Sequence, residues 1–114
     1  MAAEKNFENK IKGYLKEHGA YFVKFFANRM TKVGVPDILA CVNGYFVGIE
    51  VKAENGKPSE LQKHNRLEIR KANGLSIILY PQDYELFREL VNCLNNGHWF
   101  DARKLCGKIN ERSL

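Results

Sequence analysis

Gly34-Val35-Pro36-Asp37, Asn43-Gly44 and Gly48-Ile49-Glu50-Val51-Lys52 together decide how this chain folds. Asn-Gly between two apolar runs is the strongest short-range signal for a β-hairpin with a two-residue turn. With Asn43 and Gly44 as the turn, Val42 faces Tyr45, Leu39 faces Gly48 and Asp37 faces Glu50. Directly opposed residues stand about 5 Å apart on one face of a sheet. Lys52 lies two residues past Glu50 and shares that face. One hairpin therefore gathers two carboxylates and an ammonium. Like charges placed opposite each other are destabilising, and a divalent cation between them would offset the repulsion.

Outward from the hairpin, the pattern alternates helix and strand. Phe7, Ile11, Tyr14 and Leu15 recur at helical spacing before Gly19, predicting an amphipathic helix over residues 3–18. The aromatic-rich run 20–27 reads as a strand, and 28–35 as a basic loop carrying Arg29 and Lys32. Pro36 suits the start of a strand, because it has no N–H for a ladder. The hairpin strands are expected over 37–42 and 45–53. One face carries Ile38, Ala40, Val42, Val47, Ile49 and Val51. The other is also largely apolar, which predicts central strands covered by helices, with Cys41 as a small core residue. Ser59 with Gln62 three residues on is a capping box, opening a helix that runs to about Ala72 and is closed by Asn73-Gly74. A strand over 75–80 and a helix bearing Leu86, Phe87, Leu90, Val91 and Leu94 follow, ended by Asn95-Asn96-Gly97. The order α-β-β-β-α-β-α describes an α/β fold, a mixed sheet flanked by helices. Residues 96–114 are a basic C-terminal extension, with Trp99, Leu105 and Ile109 spaced for a short helix.

At 114 residues the chain is sized for one domain, 1–114, with one modest core. Its hydrophobic fraction of 45% argues for a folded state over disorder. A net charge of +5 suits a polyanionic partner such as nucleic acid. Cys41, Cys93 and Cys106 are odd in number and lack metal-ligand spacing, so neither a disulfide scaffold nor a zinc ribbon is expected. No apolar run approaches the 18 or so residues of a membrane span, and the start of the chain is charged. The expected location is cytoplasmic, in a bacterial or phage-infected cell, with no membrane partner.

Asp37 and Glu50 can offer the oxygen ligands that magnesium or manganese prefers. A metal there would polarise a phosphate oxygen and acidify water. Lys52, beside a carboxylate that keeps it protonated, suits charge stabilisation and water positioning better than proton abstraction.

The pair Gly34-Val35-Pro36-Asp37 and Glu50-Val51-Lys52 resembles the PD-(D/E)XK nuclease superfamily and its restriction-endonuclease-like core. The Ser59-x-x-Gln62 that opens the next helix resembles the VRR-NUC branch, in stand-alone members similar to Holliday-junction resolvases. The resemblance covers residues 4–92 and implies a Mg2+- or Mn2+-dependent DNA endonuclease acting on branched DNA. By it, Asp37 and Glu50 bind metal with help from the Val51 carbonyl. Glu8, on the first helix, is the further candidate ligand. Lys52 is catalytic, and Gln62 stands at the rim of the site. Arg29, Lys32 and Lys57, in loops expected near the site, are candidate phosphate contacts. A homodimer fits symmetric cutting of a junction. Rival readings are a flap or non-selective nuclease with the same site, and a non-catalytic DNA-binding module.

Overall fold

The computed structural model describes residues 2–114. A first helix α1 (Ala2–Glu17) leads into β1 (Tyr21–Lys24), β2 (Ile38–Val42) and β3 (Tyr45–Val51). Helix α2 (Glu60–Lys71) crosses over to β4 (Leu75–Leu79). A 3-10 turn at Pro81–Asp83 then opens α3 (Tyr84–Asn95), and α4 (Trp99–Asn110) completes the chain with a last 3-10 turn, Glu111–Ser113. The four strands lie in the order β1-β2-β3-β4. The first three are antiparallel and β4 is parallel to β3, as a helical crossover requires. The mixed α/β sheet flanked by helices is therefore the architecture expected from the pattern.

The hairpin register is the expected one, with Val42 opposite Tyr45 and Leu39 opposite Gly48. Asn43 and Gly44 both have positive φ, 50° and 87°, which a type I′ turn demands and which Asn-Gly tolerates. The Asn43 side chain also donates to the Leu94 carbonyl (2.9 Å), tying the turn to the end of α3.

Ile38, Ala40, Val42, Val47, Ile49 and Val51 join Leu75, Ile77 and Leu79 on one buried face. Helices α1 and α3 pack there through Ile11, Leu15, Phe87, Leu90 and Leu94, all fully buried. Tyr14 packs edge-on against Tyr84 and Phe87.

The opposite face departs from expectation. Helix α2 covers it over β3 and β4, but Leu39 is only half-buried, and Cys41 and Phe46 are exposed. Cys41 is therefore not a core residue: with only two strands spanned, a single crossover helix leaves the β1–β2 half of that face open. The first strand is also shorter than expected, four residues instead of eight. Phe25 still donates its N–H to the Asp37 carbonyl (2.8 Å); beyond it the chain turns into the loop.

The extension holds a helix of 12 residues, longer than its sparse apolar spacing suggested. It packs Ala102, Cys106 and Ile109 inward. Asn110 reaches the outer edge of β4, where its Oδ1 accepts from Ile78 N (3.0 Å) and its Nδ2 donates to the Ser76 carbonyl (2.8 Å). A side-chain amide thus pairs an edge that would otherwise present bare backbone groups.

Gly34 sits where the basic loop enters the hairpin, with φ +84°. A Cβ there would lie 2.6 Å from the Leu61 carbonyl oxygen and 2.7 Å from Asn65 Nδ2. Gly34→Ala is expected to cost about 2 kcal/mol or more, from left-handed strain and a clash with backbone. Urea unfolding checks this; an unchanged midpoint would contradict the close approach.

Candidate active site

The site forms where β2 begins and β3 ends, under the first turn of α2. Asp37 precedes β2 by one residue, and its Oδ2 accepts a hydrogen bond from the Val51 N–H (2.8 Å). That bond extends the hairpin pairing through a side chain and holds the Asp37 carboxylate beside the Glu50–Lys52 segment. Glu50 is buried, 6% exposed, at the far end of β3. Its Oε2 accepts from Gln62 Nε2 (2.8 Å) and lies 3.8 Å from the Lys52 ammonium. Its other oxygen, Oε1, is buried with no hydrogen-bond partner.

An unpartnered buried carboxylate oxygen is costly. The charge state of Glu50 reflects this. Burial first, and the Asp37 charge second, push its pKa up to about 8 against the pull of Lys52.

Gln62 does two jobs with one side chain. Its Oε1 accepts from the Ser59 N–H (2.9 Å), and its own N–H donates to Ser59 Oγ (3.1 Å), completing the capping box. Its Nε2 is left free for Glu50. The cap that starts α2 therefore also fixes the orientation of the buried carboxylate.

Glu8, on the buried face of α1, is placed in a different setting from Asp37 and Glu50. Its carboxylate is held by Lys12 (2.8 Å), Lys24 (2.9 Å) and Lys5 (3.4 Å). Burial alone would raise its pKa, but the Lys12 and Lys24 ammoniums bring it down to about 2. The link from Glu8 to the pair passes through Lys24, whose ammonium also lies 3.5 Å from Asp37 Oδ1. Burial works against the Lys24 charge, yet Glu8 and Asp37 raise its pKa above the ordinary lysine value. Lys24 was not among the residues the sequence singled out. Its signal was its place as the one charge in the aromatic run that ends β1.

Asn65 is a second residue missed. It is buried on α2 and donates to the carbonyls of Val33 (3.0 Å) and Leu61 (2.9 Å), anchoring the loop that delivers Asp37. Asparagine inside an otherwise polar helix surface carries no sequence signal of this kind; only the packing of the loop reveals it. Arg29 and Lys32 lie exposed in that loop, and Lys57 is exposed before α2. None of the three forms an ion pair among the described residues. Lys57 lines a cleft with Lys63 and Arg112.

A buried, half-satisfied carboxylate thus stands beside a second carboxylate and a lysine, on adjacent ends of a hairpin. The family model for archaeal Holliday junction resolvase (Hjc) matches residues 2–73, well over half of the chain. The chain belongs to the Hjc family. That family is of the PD-(D/E)XK nuclease type, so the superfamily resemblance is upheld, and the branch that matches is Hjc. Comparison with curated proteins finds no significant match. The match spans α1 to the end of α2 and takes in Glu8, Lys24, Asp37, Glu50, Lys52 and Gln62; β4, α3 and α4 lie outside it.

Hjc-type nucleases depend on divalent metal, and the residues here can be tested against that need. Among the described residues no group of three or more His, Cys, Asp or Glu side chains converges. Two carboxylates do, one with a buried oxygen lacking any partner. This donor set suits a hard cation that keeps several waters, as magnesium does, and does not suit a fully protein-caged ion. The residues fit the group.

The raised pKa of Glu50 has a stability consequence. Its proton is held more tightly in the folded state, so its contribution is fully present below the ordinary value of 4.5 and is lost as pH rises to about 8. Glu50→Gln removes that loss. In chelator, its stability relative to the parent protein should therefore rise between pH 5 and pH 8, by at most about 4 kcal/mol. Urea midpoints at the two pH values measure the difference; a pH-independent difference would refute the assignment.

Proposed function

We propose that the protein is a divalent-metal-dependent endonuclease that cuts branched DNA, with four-way junctions as its preferred substrate. The observation that carries this reading is the buried Glu50 oxygen left without a partner opposite Asp37. The Hjc family supplies the substrate class. We read residues 1–114 as one domain, with 96–114 as its closing helix, acting in the cytoplasm. No helix among the described residues is long and apolar enough to cross a membrane.

In this reading Asp37 and Glu50, with the Val51 carbonyl, hold Mg2+ or Mn2+. The metal supplies Lewis-acid activation of the phosphate and of water. Asp37 is oriented by the Val51 N–H, and Glu50 by Gln62. Such supporting bonds fix ligand direction and contribute to affinity. Lys52, 3.8 Å from Glu50, stabilises negative charge growing on the phosphoryl oxygens. Lys24 bridges Glu8 and Asp37, so Glu8 acts on the site by positioning that lysine, and it becomes a ligand only if Lys24 moves aside. Arg29, Lys32 and Lys57, exposed and in no ion pair among the described residues, are candidate contacts for the DNA backbone. The Ser59-x-x-Gln62 feature that resembles VRR-NUC enzymes is, on this view, a device for aiming Glu50.

Four-way junction, flap and duplex substrates, each with Mg2+, Mn2+ or chelator, test the reading. Junction cutting should predominate and should vanish in chelator. Asp37→Ala should lower the cutting rate by about 100-fold or more while junction binding persists. Equal cutting of all three substrates would favour a non-selective nuclease. Binding without cutting in both metals would favour a non-catalytic module.

We further propose a homodimer formed through the open half of the sheet. Tyr21, Cys41 and Phe46 lie side by side across three strands, with Val23 and Leu39 in the next row. Tyr21 is 74% exposed and Phe46 43%. A contiguous exposed apolar face on a sheet edge is a surface that associates. Phe46→Lys should convert a dimer to a monomer by light scattering without lowering the urea midpoint by more than about 1 kcal/mol. A parent protein that is monomeric at micromolar concentration would remove this proposal.

A further inference from the structure

A second cationic site lies further along α2, where it meets the C-terminal helix. Arg66 and Arg70 of α2 line a cleft of about 230 Å3 with Ser76, Cys106 and Asn110. A water occupies roughly 30 Å3 of liquid, so the cleft has room for a phosphate group. Arg66 is part-buried, and its one hydrogen bond goes to a neutral group, Ser113 Oγ (2.8 Å). No ion pair among the described residues involves Arg66, Arg70 or Arg103. All three guanidinium charges nevertheless bear on the Cys106 thiol. That thiol cannot serve as their counter-charge, because burial pushes its pKa upward and keeps it neutral. Burial likewise works against the Arg66 charge, whose pKa it lowers. A partly desolvated guanidinium with no ion-pair partner among the described residues is an unfavourable arrangement unless an anion joins it.

The position of this cleft is set by the same helix that serves the active site. Gln62, Arg66 and Arg70 are spaced i, i+4 and i+8, and form one ridge on α2. The ridge begins at Glu50, which Gln62 touches at 2.8 Å. With a rise of about 1.5 Å per residue, Arg66 lies about 6 Å and Arg70 about 12 Å further along the axis. Arg112, in the turn after α4, is already committed to Asp83 by bonds of 2.7 and 3.0 Å.

We propose that the cleft between α2 and α4 is a second phosphate site, holding a DNA backbone phosphate apart from the one at Glu50. Guanidinium groups bind phosphate oxygens in pairs, with directed hydrogen bonds that an ammonium cannot match. The wall opposite the arginines comes from α4 and the turn after it, outside the residues matched by the Hjc model. The C-terminal extension thereby gains a role in lengthening the DNA footprint. This inference rests on the nuclease reading above.

Arg70→Gln and the double variant Arg66→Gln/Arg70→Gln in the full-length chain test it, with Ser113→Ala as control. Ser113→Ala removes the Arg66 bond but keeps both charges. Arg70 is exposed and takes no part in the side-chain bonds described, so Arg70→Gln alone should fold normally. Junction binding is measured by fluorescence anisotropy in chelator across a salt series. The double variant should bind at least about tenfold more weakly, with the salt slope reduced by one to two, and Arg70→Gln should fall between. Ser113→Ala should match the parent. Inorganic phosphate should raise the melting temperature of the parent, at matched ionic strength, more than that of the double variant. Unchanged affinity and slope in both arginine variants would overturn the site. Loss of the phosphate effect with unchanged DNA binding would also overturn the DNA assignment and point to a free anion. A parent protein that fails to bind any junction would instead overturn the nuclease reading, which keeps the two failures distinct.

Discussion

The register of β2 against β3 governs everything functional in this molecule. Side chains alternate across a strand, so a slip of one residue would send Glu50 to the opposite face and Ile49 into its place. Two devices prevent that slip. The Asn43-Gly44 turn has positive φ at both positions and closes the hairpin with no spare residue. At the other end, Asp37 takes the Val51 N–H on its carboxylate, so a candidate metal ligand doubles as a register pin. Moving the register would cost that bond and expose Ile38, Ile49 and Val51, which are now at most 2% exposed.

Around this hairpin the electrostatic problem is divided in two. Glu8 lies within a ring of lysines and is held ionised well below the ordinary carboxylate range. Glu50 has one lysine at 3.8 Å, one amide and a bare oxygen, and holds its proton well above that range. Two buried glutamates near one site are thus driven in opposite directions by their neighbours. Pairs of acids whose environments separate their pKa values are a recurring mark of functional sites. Lys24 is the bridge between the two settings, since it touches both Glu8 and Asp37.

Helix α2 integrates the remaining parts. Its first turn aims Glu50 through Gln62, its second anchors the Asp37 loop through Asn65, and its last two turns carry the arginines that face α4. The far edge of the sheet depends on α4 as well, through the Asn110 amide that pairs with Ser76 and Ile78. The extension is therefore structurally integral, even though the match to the family model ends at residue 73. Among the described residues, the β1–β2 half of one sheet face is left without cover.

Local chemistry made much of this legible in one dimension. The turn, the capping box, the helix ends at Gly19 and Asn73-Gly74, and the facing of Asp37 with the Glu50 strand all depend on residues close in sequence. Backbone preference and period-two alternation specify them without reference to the rest of the chain. Neither Lys24 as the cation joining Glu8 to Asp37, nor Asn65 as the anchor of the loop, could be read this way, because each acts on a partner brought near only by folding. The exposure of Cys41 was hidden for a related reason: an apolar run announces a strand, but whether a helix covers it depends on how many strands that helix spans. The sequence by itself determined the hairpin, its register and the type of each element. Tertiary packing alone decided which charges meet and which face stays open, since those depend on contacts between residues far apart in the chain.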